Sequence, residues 1–489
     1  MFDLVALLST LGSTLTALIS SNLPSDIWFT VSNPLLAING LISARRADRN
    51  IVKDDTIHEI MALADCHETA ALLADLIRVD GAGRWPPRAN HDHDTWPAAI
   101  RPYKEAYLEM GPLLATADLS LDDNVNRTRI ANFRSLFREL LHERVDMSQV
   151  KQLLEAADAG RWDVFPRDTY NAFYSCVSWC RHAYRWATIP VVRIAQLEEH
   201  IDLPPELIEP WEHLQRHFGL VSAAGNVHST LLLSFDSQGA YRLKINTSPS
   251  VADNIVITSA EAAFAAIFRE TEVLALPIYH AMVHAISFFA RGDLAACLAH
   301  TSRIRAALRP LFAAYYDRMH NGRIALAVWV PYVQGFFGWG VGGHGDDRDR
   351  DDTGELIKFG GLSGSQVLLF QVLDAFLGIA LPYLDETTRR RSVPARQRAL
   401  CEAFEKHSFR GKLGDSEVEE KIVVEFTEIV KRLRLFRAAH RTRSKTYLSQ
   451  PAPERLLMTA GRSVLTKDTM EENLAALDAF MLGRLAQTV

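Results

Sequence analysis

Cysteine is scarce in this sequence. Five residues in 489 (Cys66, Cys176, Cys180, Cys297 and Cys401) are few, odd in number and scattered, which excludes the disulfide framework of a secreted domain. A basic excess is missing as well. Lys plus Arg is 53 against Asp plus Glu at 59, a net charge of -6, so no nucleic-acid-coating surface is expected. The apolar start MFDLVALLSTLGSTLTALISS lacks the basic residues that open a signal peptide and carries Asp3, so it reads as an ordinary helix. The most apolar internal stretch, Leu274 to Ala290, is short for a membrane span and contains Pro277, His280 and His284. Internal repeats and low-complexity tracts are absent, and strand signals are sparse. What remains is a cytoplasmic chain of a reducing compartment, with no membrane and no nucleic-acid partner, in which 48% hydrophobic residues supply ample core.

Helical periodicity dominates what is present. Apolar residues recur every three to four positions in IANFRSLFRELLHERV from Ile130, SAEAAFAAIFRETEVLAL from Ser259 and LAACLAHTSRIRAALRPLFAAYY from Leu294. The fold class is therefore mainly α. One exception is HSTLLLSFDSQGAYRLKIN, which reads as a hairpin around Asp236 to Gly239. Ile201 to Leu207, with two prolines, reads as a hinge between helices and sets a domain boundary near residue 205, giving a mostly helical N-terminal domain (1–205) and an all-α C-terminal domain (206–489).

Several patterns imitate known sites and are better read as structure. Gly338 to Gly343 spells GxGxxG, but it follows a helical pattern and runs into GDDRDRDD, where a dinucleotide site needs a strand before and a helix after. Asp347, Asp349 and Asp351 alternate like a calcium loop, yet Asp352 and Lys358 stand where Gly and Glu are required. His280 with His284 and His213 with His217 have metal-ligand spacing, but two ligands do not complete a site. Cys176 and Cys180 read as buried small residues on an aromatic helix. The acceptor motifs at Asn126 and Asn246 carry no weight without a secretion signal.

The informative region begins at Gly360. In GGLSGSQVLLFQVLDAFLGI, Ser363 and Gln366 form a capping box for a helix that ends at Gly378, so the Ser363–Gly364 turn should aim free N–H groups at an anion. That helix is apolar nearly all round and carries Asp374 in its middle, a carboxylate that needs a buried cation. A second helix supplies one. Its stripe runs Ile422, Phe426, Ile429, Leu433, Phe436, and the same rhythm reaches His440 and then Tyr447, with Arg437 flanking that face. Periodicity leaves two readings open: a satisfied core histidine beside a structural ion pair, or an axial ligand held over a cofactor whose carboxylates meet Arg437 and the Ser363 turn.

These residues resemble the indoleamine 2,3-dioxygenase superfamily. The matching pieces are Gly360 to Gln366, the following FQVLDAFLGI, and Phe436-Arg-Ala-Ala-His440 with Tyr447; Leu203 to Leu207 and Val330-Pro-Tyr332 match more weakly. The likeness spans roughly residues 190 to 470, and the first ~150 residues look like an extension or a diverged small domain. The resemblance implies that the C-terminal domain binds haem b, with His440 as proximal ligand and with Arg437, Asp374, Ser363 and Gly364 supporting the cofactor.

The departures concern the substrate side. Relatives that oxidise tryptophan grip its carboxylate with an arginine where this chain has Val330, and have aromatics where it has Ala325 and Leu326; their small polar distal residue corresponds to Ala262. Met458 to Ser463 is the nearest remnant of their C-terminal GTGGT loop. Valine supplies no bidentate clamp for a carboxylate. The expected function is a haem-dependent oxygenase that takes O2 as co-substrate and inserts it into a small aromatic, indole- or pyrrole-like molecule other than free tryptophan, as in secondary metabolism. An oxidative rearrangement, or haem binding without turnover, is the alternative.

Overall fold

The structure, a computed structural model, describes residues 54–79, 88–114, 120–198, 201–220, 226–236, 238–247, 254–334, 364–379, 389–390, 393–450 and 470–489. Within them the fold is mainly α, as the periodicity requires. The longer helices in chain order are α1 (Asp54–Leu63), α2 (Glu68–Val79), α3 (Arg101–Leu114), α4 (Asp123–Arg144), α5 (Met147–Asp158), α6 (Arg167–Trp186) and α7 (Pro205–Phe218). They continue with α8 (Val227–Ser234), α9 (Ile255–Ala290), α10 (Leu294–Arg318), α11 (Leu368–Leu377), α12 (Ala395–Lys406), α13 (Glu417–Leu448) and α14 (Met470–Gln487).

Capping residues explain where the central helices begin. Asn254 accepts from the backbone N–H groups of Val256 and Ile257 to start α9, and Asp293 accepts from that of Ala296 to start α10. Only three residues separate α9 from α10, so the two form a helical hairpin, and α13 packs along α10. Arg305 with Glu425 at 2.5 Å and the stacked rings of Phe312 and Phe436 fasten that second contact. α9 is long and apolar enough to cross a membrane by length and composition, and 56% of its most apolar window is buried against its neighbours.

The hairpin expected from residue 228 is corrected. Its first run is α8, because Asn226 and Ser229 form a reciprocal capping box that nucleates a helix where β-prone side chains alone favour a strand. The turn survives, with one antiparallel bridge between Phe235 and Tyr241 and with Gly239 at φ +80°. Residues Lys53–Val489 form one compact unit, and the boundary expected near residue 205 falls inside it. The hinge-like segment there is tied down: Tyr103 donates to the Glu206 carbonyl and Arg181 to that of Leu207, both at 2.7 Å and both buried. The glycine-rich and acidic stretches at 338–352, the remnant loop at 458–463 and the N-terminal apolar run lie outside the described residues.

Candidate functional site

The stripe on α13 is buried as its spacing predicts: Ile422, Phe426, Ile429, Leu433, Phe436 and Tyr447 all face inward. His440 continues it. Its ring lies parallel to Phe436, and part of its surface stays accessible, yet desolvation, followed by the nearby Arg484 charge, holds its pKa down at about 4. The imidazole is therefore neutral at physiological pH. Tyr315 Oη on α10 lies 2.8 Å from Nδ1, and the same hydroxyl donates to the Met319 sulfur at 3.1 Å. When the hydroxyl turns its proton to Met319 it accepts from Nδ1–H, the tautomer that leaves the lone pair on Nε2; turned to the ring, it donates to Nδ1 instead. Among the described residues Nε2 meets the Ser444 hydroxyl alone, at 3.3 Å from one turn further along α13.

One turn before His440, Arg437 points the other way. Its Nη2 donates to both carboxylate oxygens of Asp374, at 2.7 and 2.5 Å, and its Nη1 to Thr488 Oγ1 at 2.6 Å. Asp374 is 0% exposed and Arg437 7%, so the ion pair inferred from a lone carboxylate on an apolar helix is present and buried. Arg484 of α14 approaches Asp374 at 3.9 Å. α11, α13 and the last residues of the chain are thus joined through one carboxylate.

The expected anion-binding helix start is different in detail. Ser363 lies outside the described residues. Gly364 is exposed in a 3-10 turn through Gln366, and α11 begins only at Leu368. The Gln366 side-chain oxygen accepts from Val227 N–H at the start of α8. The anion that does meet the α11 terminus is internal. Glu272 of α9, buried among apolar neighbours, accepts from Leu369 N–H at 3.4 Å and from Tyr279 Oη at 2.9 Å. The Gly378 stop is as expected, at φ +67°.

The proposed substrate positions gather at the open end of the α9/α10 hairpin. Ala262 is partly exposed on α9, and beside it Ala260, Ala263 and Phe264 share an apolar cluster with Tyr315, Ile324, Leu326, Trp329 and Tyr447. Ala325 is the cap of the short turn that carries Leu326, and the chain then passes into a π-helical turn, Trp329–Gln334. Such turns recur at functional sites. Val330 lies on that turn, with its side chain outside the described residues. Trp329 packs edge-on against both Phe264 and Tyr447, and Tyr447 donates to the Ile324 carbonyl at 2.7 Å. An aromatic wall therefore runs from the partner of His440 to Leu326 and the α9 face beside Ala262.

A second buried carboxylate was not evident from the sequence. Glu261, next to Ala262, accepts from Tyr241 Oη at 2.6 Å, from the backbone N–H groups of Ile245 and Asn246, and from the Asn246 side chain at 2.7 Å. Asn246 also donates to the Tyr332 carbonyl of the π turn. Burial raises the Glu261 pKa, against the pull of these donors. The available signal was a charge inside an alanine-rich apolar run, the same one that exposed Asp374. Both glycosylation-like asparagines prove to be structural: Asn246 as described, and Asn126 buried with its side chain on the Ser120 carbonyl.

The other look-alikes separate. His213 pairs with Asp158 at 2.7 Å, while His217 sits edge-on to Trp162 and Tyr170, so that pair shares no ligand. Cys176 and Cys180 are buried and free. His280 and His284, by contrast, are joined by Glu59 and His300. In comparison with known proteins, no family model and no curated protein matches the chain.

Proposed function

We propose that the chain is a haem-dependent oxygenase of the indoleamine 2,3-dioxygenase type, acting on an indole- or pyrrole-like substrate other than free tryptophan. The observation that carries this reading is His440: a neutral imidazole on a helix, its Nδ1 beside the Tyr315 hydroxyl and its Nε2, among the described residues, facing a long contact to the rotatable Ser444 hydroxyl. The donor set fits an axial ligand, because metal-binding histidines need a neutral ring whose second nitrogen is fixed by a hydrogen bond. When bound, haem would supply activation of O2 for addition to an electron-rich ring.

The chain's own residues do the rest. Arg437, Asp374 and Thr488 fix the rotation of α13 against α11, which sets the direction of the imidazole one turn away. Arg437 is committed to Asp374 and Thr488, so it supports a cofactor through this clamp. Ala262, Ala325 and Leu326 offer small, aliphatic, uncharged surface, and Phe264 and Trp329 offer ring faces for an aromatic substrate. A free amino acid would need charge-assisted donors for its carboxylate there, and losing them costs on the order of 2–5 kcal/mol, roughly 30-fold to several thousandfold in affinity. A cytoplasmic place in secondary metabolism accords with this choice of substrate.

The test is to reconstitute the protein with haem, reduce it, and add O2 with either L-tryptophan or a panel of carboxylate-free or carboxylate-masked indoles and pyrroles. The Soret band and oxygenated products are followed together. Turnover of a panel member with weak tryptophan binding supports the reading. Saturation at micromolar tryptophan with N-formylkynurenine release contradicts the substrate assignment, and reconstituted protein with no turnover of any candidate contradicts the oxygenase.

A further inference from the structure

The closed end of the α9/α10 hairpin carries a cluster with no role in the account above. His280 and His284 lie one turn apart on α9, with ring centroids 4.4 Å apart, and Glu59 of α1 brings its Oε2 to 2.6 Å from His280 Nε2. One donor atom from each of these three residues lies within 4.8 Å of the other two. His300 of α10 stacks on His284 with its ring 8° from parallel and 4.5 Å away, which fixes the His284 ring plane. Arg303, one turn on, comes within 3.5 Å of the His300 nitrogens.

The hydrogen bonding is what singles the cluster out. Among the described residues neither nitrogen of His284 has a hydrogen-bond partner, although both are sealed from water, and His280 Nε2 meets the Glu59 carboxylate at 2.6 Å. Buried polar nitrogens without partners cost on the order of 1–3 kcal/mol each, and native proteins seldom leave several together unless something occupies the gap. Glu59 is more than half exposed and gives an ion a path in from solvent.

We infer that Glu59, His280 and His284 form a transition-metal site, with Zn2+ as the ion its donors suit best. Two imidazoles and a carboxylate are a three-protein-ligand set that leaves a fourth, open position for water. Bonds of about 2.0–2.1 Å put tetrahedral donors about 3.3 Å apart, so the group closes on an ion through small side-chain rotations. The sequence alone shows only the two histidines, because the third ligand comes from a helix more than two hundred residues earlier. The inference does not rest on the haem reading.

Haem-free protein, stripped with chelator, is titrated with Zn2+ by calorimetry, and with Co2+ while its visible d–d bands are recorded. One tight equivalent of Zn2+ and the intense bands of a four-coordinate cobalt site are expected. His284→Ala and Glu59→Ala should each weaken binding at least ~10-fold and abolish those bands, with His284→Gln as a milder variant if the alanine misfolds. His213→Ala, which disturbs a histidine of the same spacing already paired with Asp158, and His440→Ala should leave the titration unchanged. Absence of a tight equivalent, or unchanged binding in folded His284 and Glu59 variants, overturns the inference.

Discussion

The two ends of the α9/α10 hairpin hold imidazoles with the same electrostatic state and opposite partners. Desolvation brings both His440, packed on the open end, and His284, at the closed end, down to about 4. Around His440 each polar group meets another: Tyr315 on Nδ1, Met319 on Tyr315, and Asp374 on Arg437. Around His284, among the described residues, the nitrogens have no hydrogen-bond partner and the ring stacks on His300. His300 and Tyr315 stand fifteen positions apart on α10, about 22 Å of helix, so the ends are separate problems. The difference shows that a low pKa marks burial, and that only the partners of the second nitrogen indicate what an imidazole is prepared to do.

The largest effect expected at the open end is loss of the buried clamp. Asp374→Ala leaves Arg437 without its carboxylate and should cost about 3–5 kcal/mol in urea denaturation. Arg437→Ala should cost less, because Arg484 is near enough to take up part of the charge, and the double variant should fall well short of the sum. Additive costs would mean that the pair does not meet in solution. Next in size, Tyr315→Phe frees Nδ1 and should weaken haem binding by roughly 10- to 100-fold in a transfer assay to apomyoglobin. Unchanged affinity would remove Tyr315 from the account.

A third imidazole supplies the baseline. Burial, and then the charge of Arg396, holds His217 at about 4 inside its aromatic surroundings, with no ligand role. Its folded pKa lies below the unfolded value of 6.5, so the unfolded state takes up the proton first as pH falls. The stability it contributes is complete above about pH 6.5 and is lost progressively toward pH 4. His217→Leu should flatten the stability profile in that window by up to about 1.4 kcal/mol per pH unit, and should leave both metal titration and haem content unchanged. An unaltered slope would show that His217 is not desolvated.

How much of this was legible depended on whether a partner lay on the same helix. The α13 stripe and the inward turn of His440 follow from periodicity alone, and Asp374 was conspicuous because a carboxylate on an apolar helix demands a cation. Glu261 and Glu272 carry the same signal, yet their donors include backbone N–H groups of other segments, Ile245 and Asn246 for one and Leu369 for the other, which no spacing encodes. Local rules make Gln366 a cap, whereas tertiary packing gives its oxygen to Val227. The strand-like run after Asn226 became a helix for the converse reason, a local capping box outweighing β-prone side chains.

The most direct test of the central claim is the absorption spectrum of His440→Gly, reconstituted with haem, with and without imidazole in solution. Wild-type protein is expected to hold about one haem, with a Soret band that shifts on reduction and CO binding. The variant should stay folded, retain little haem, and recover both content and band position when imidazole fills the space of the deleted ring. Wild-type haem content and an unmoved Soret band in the variant without imidazole would contradict it, and would return His440 to the role of a hydrogen-bonded core histidine.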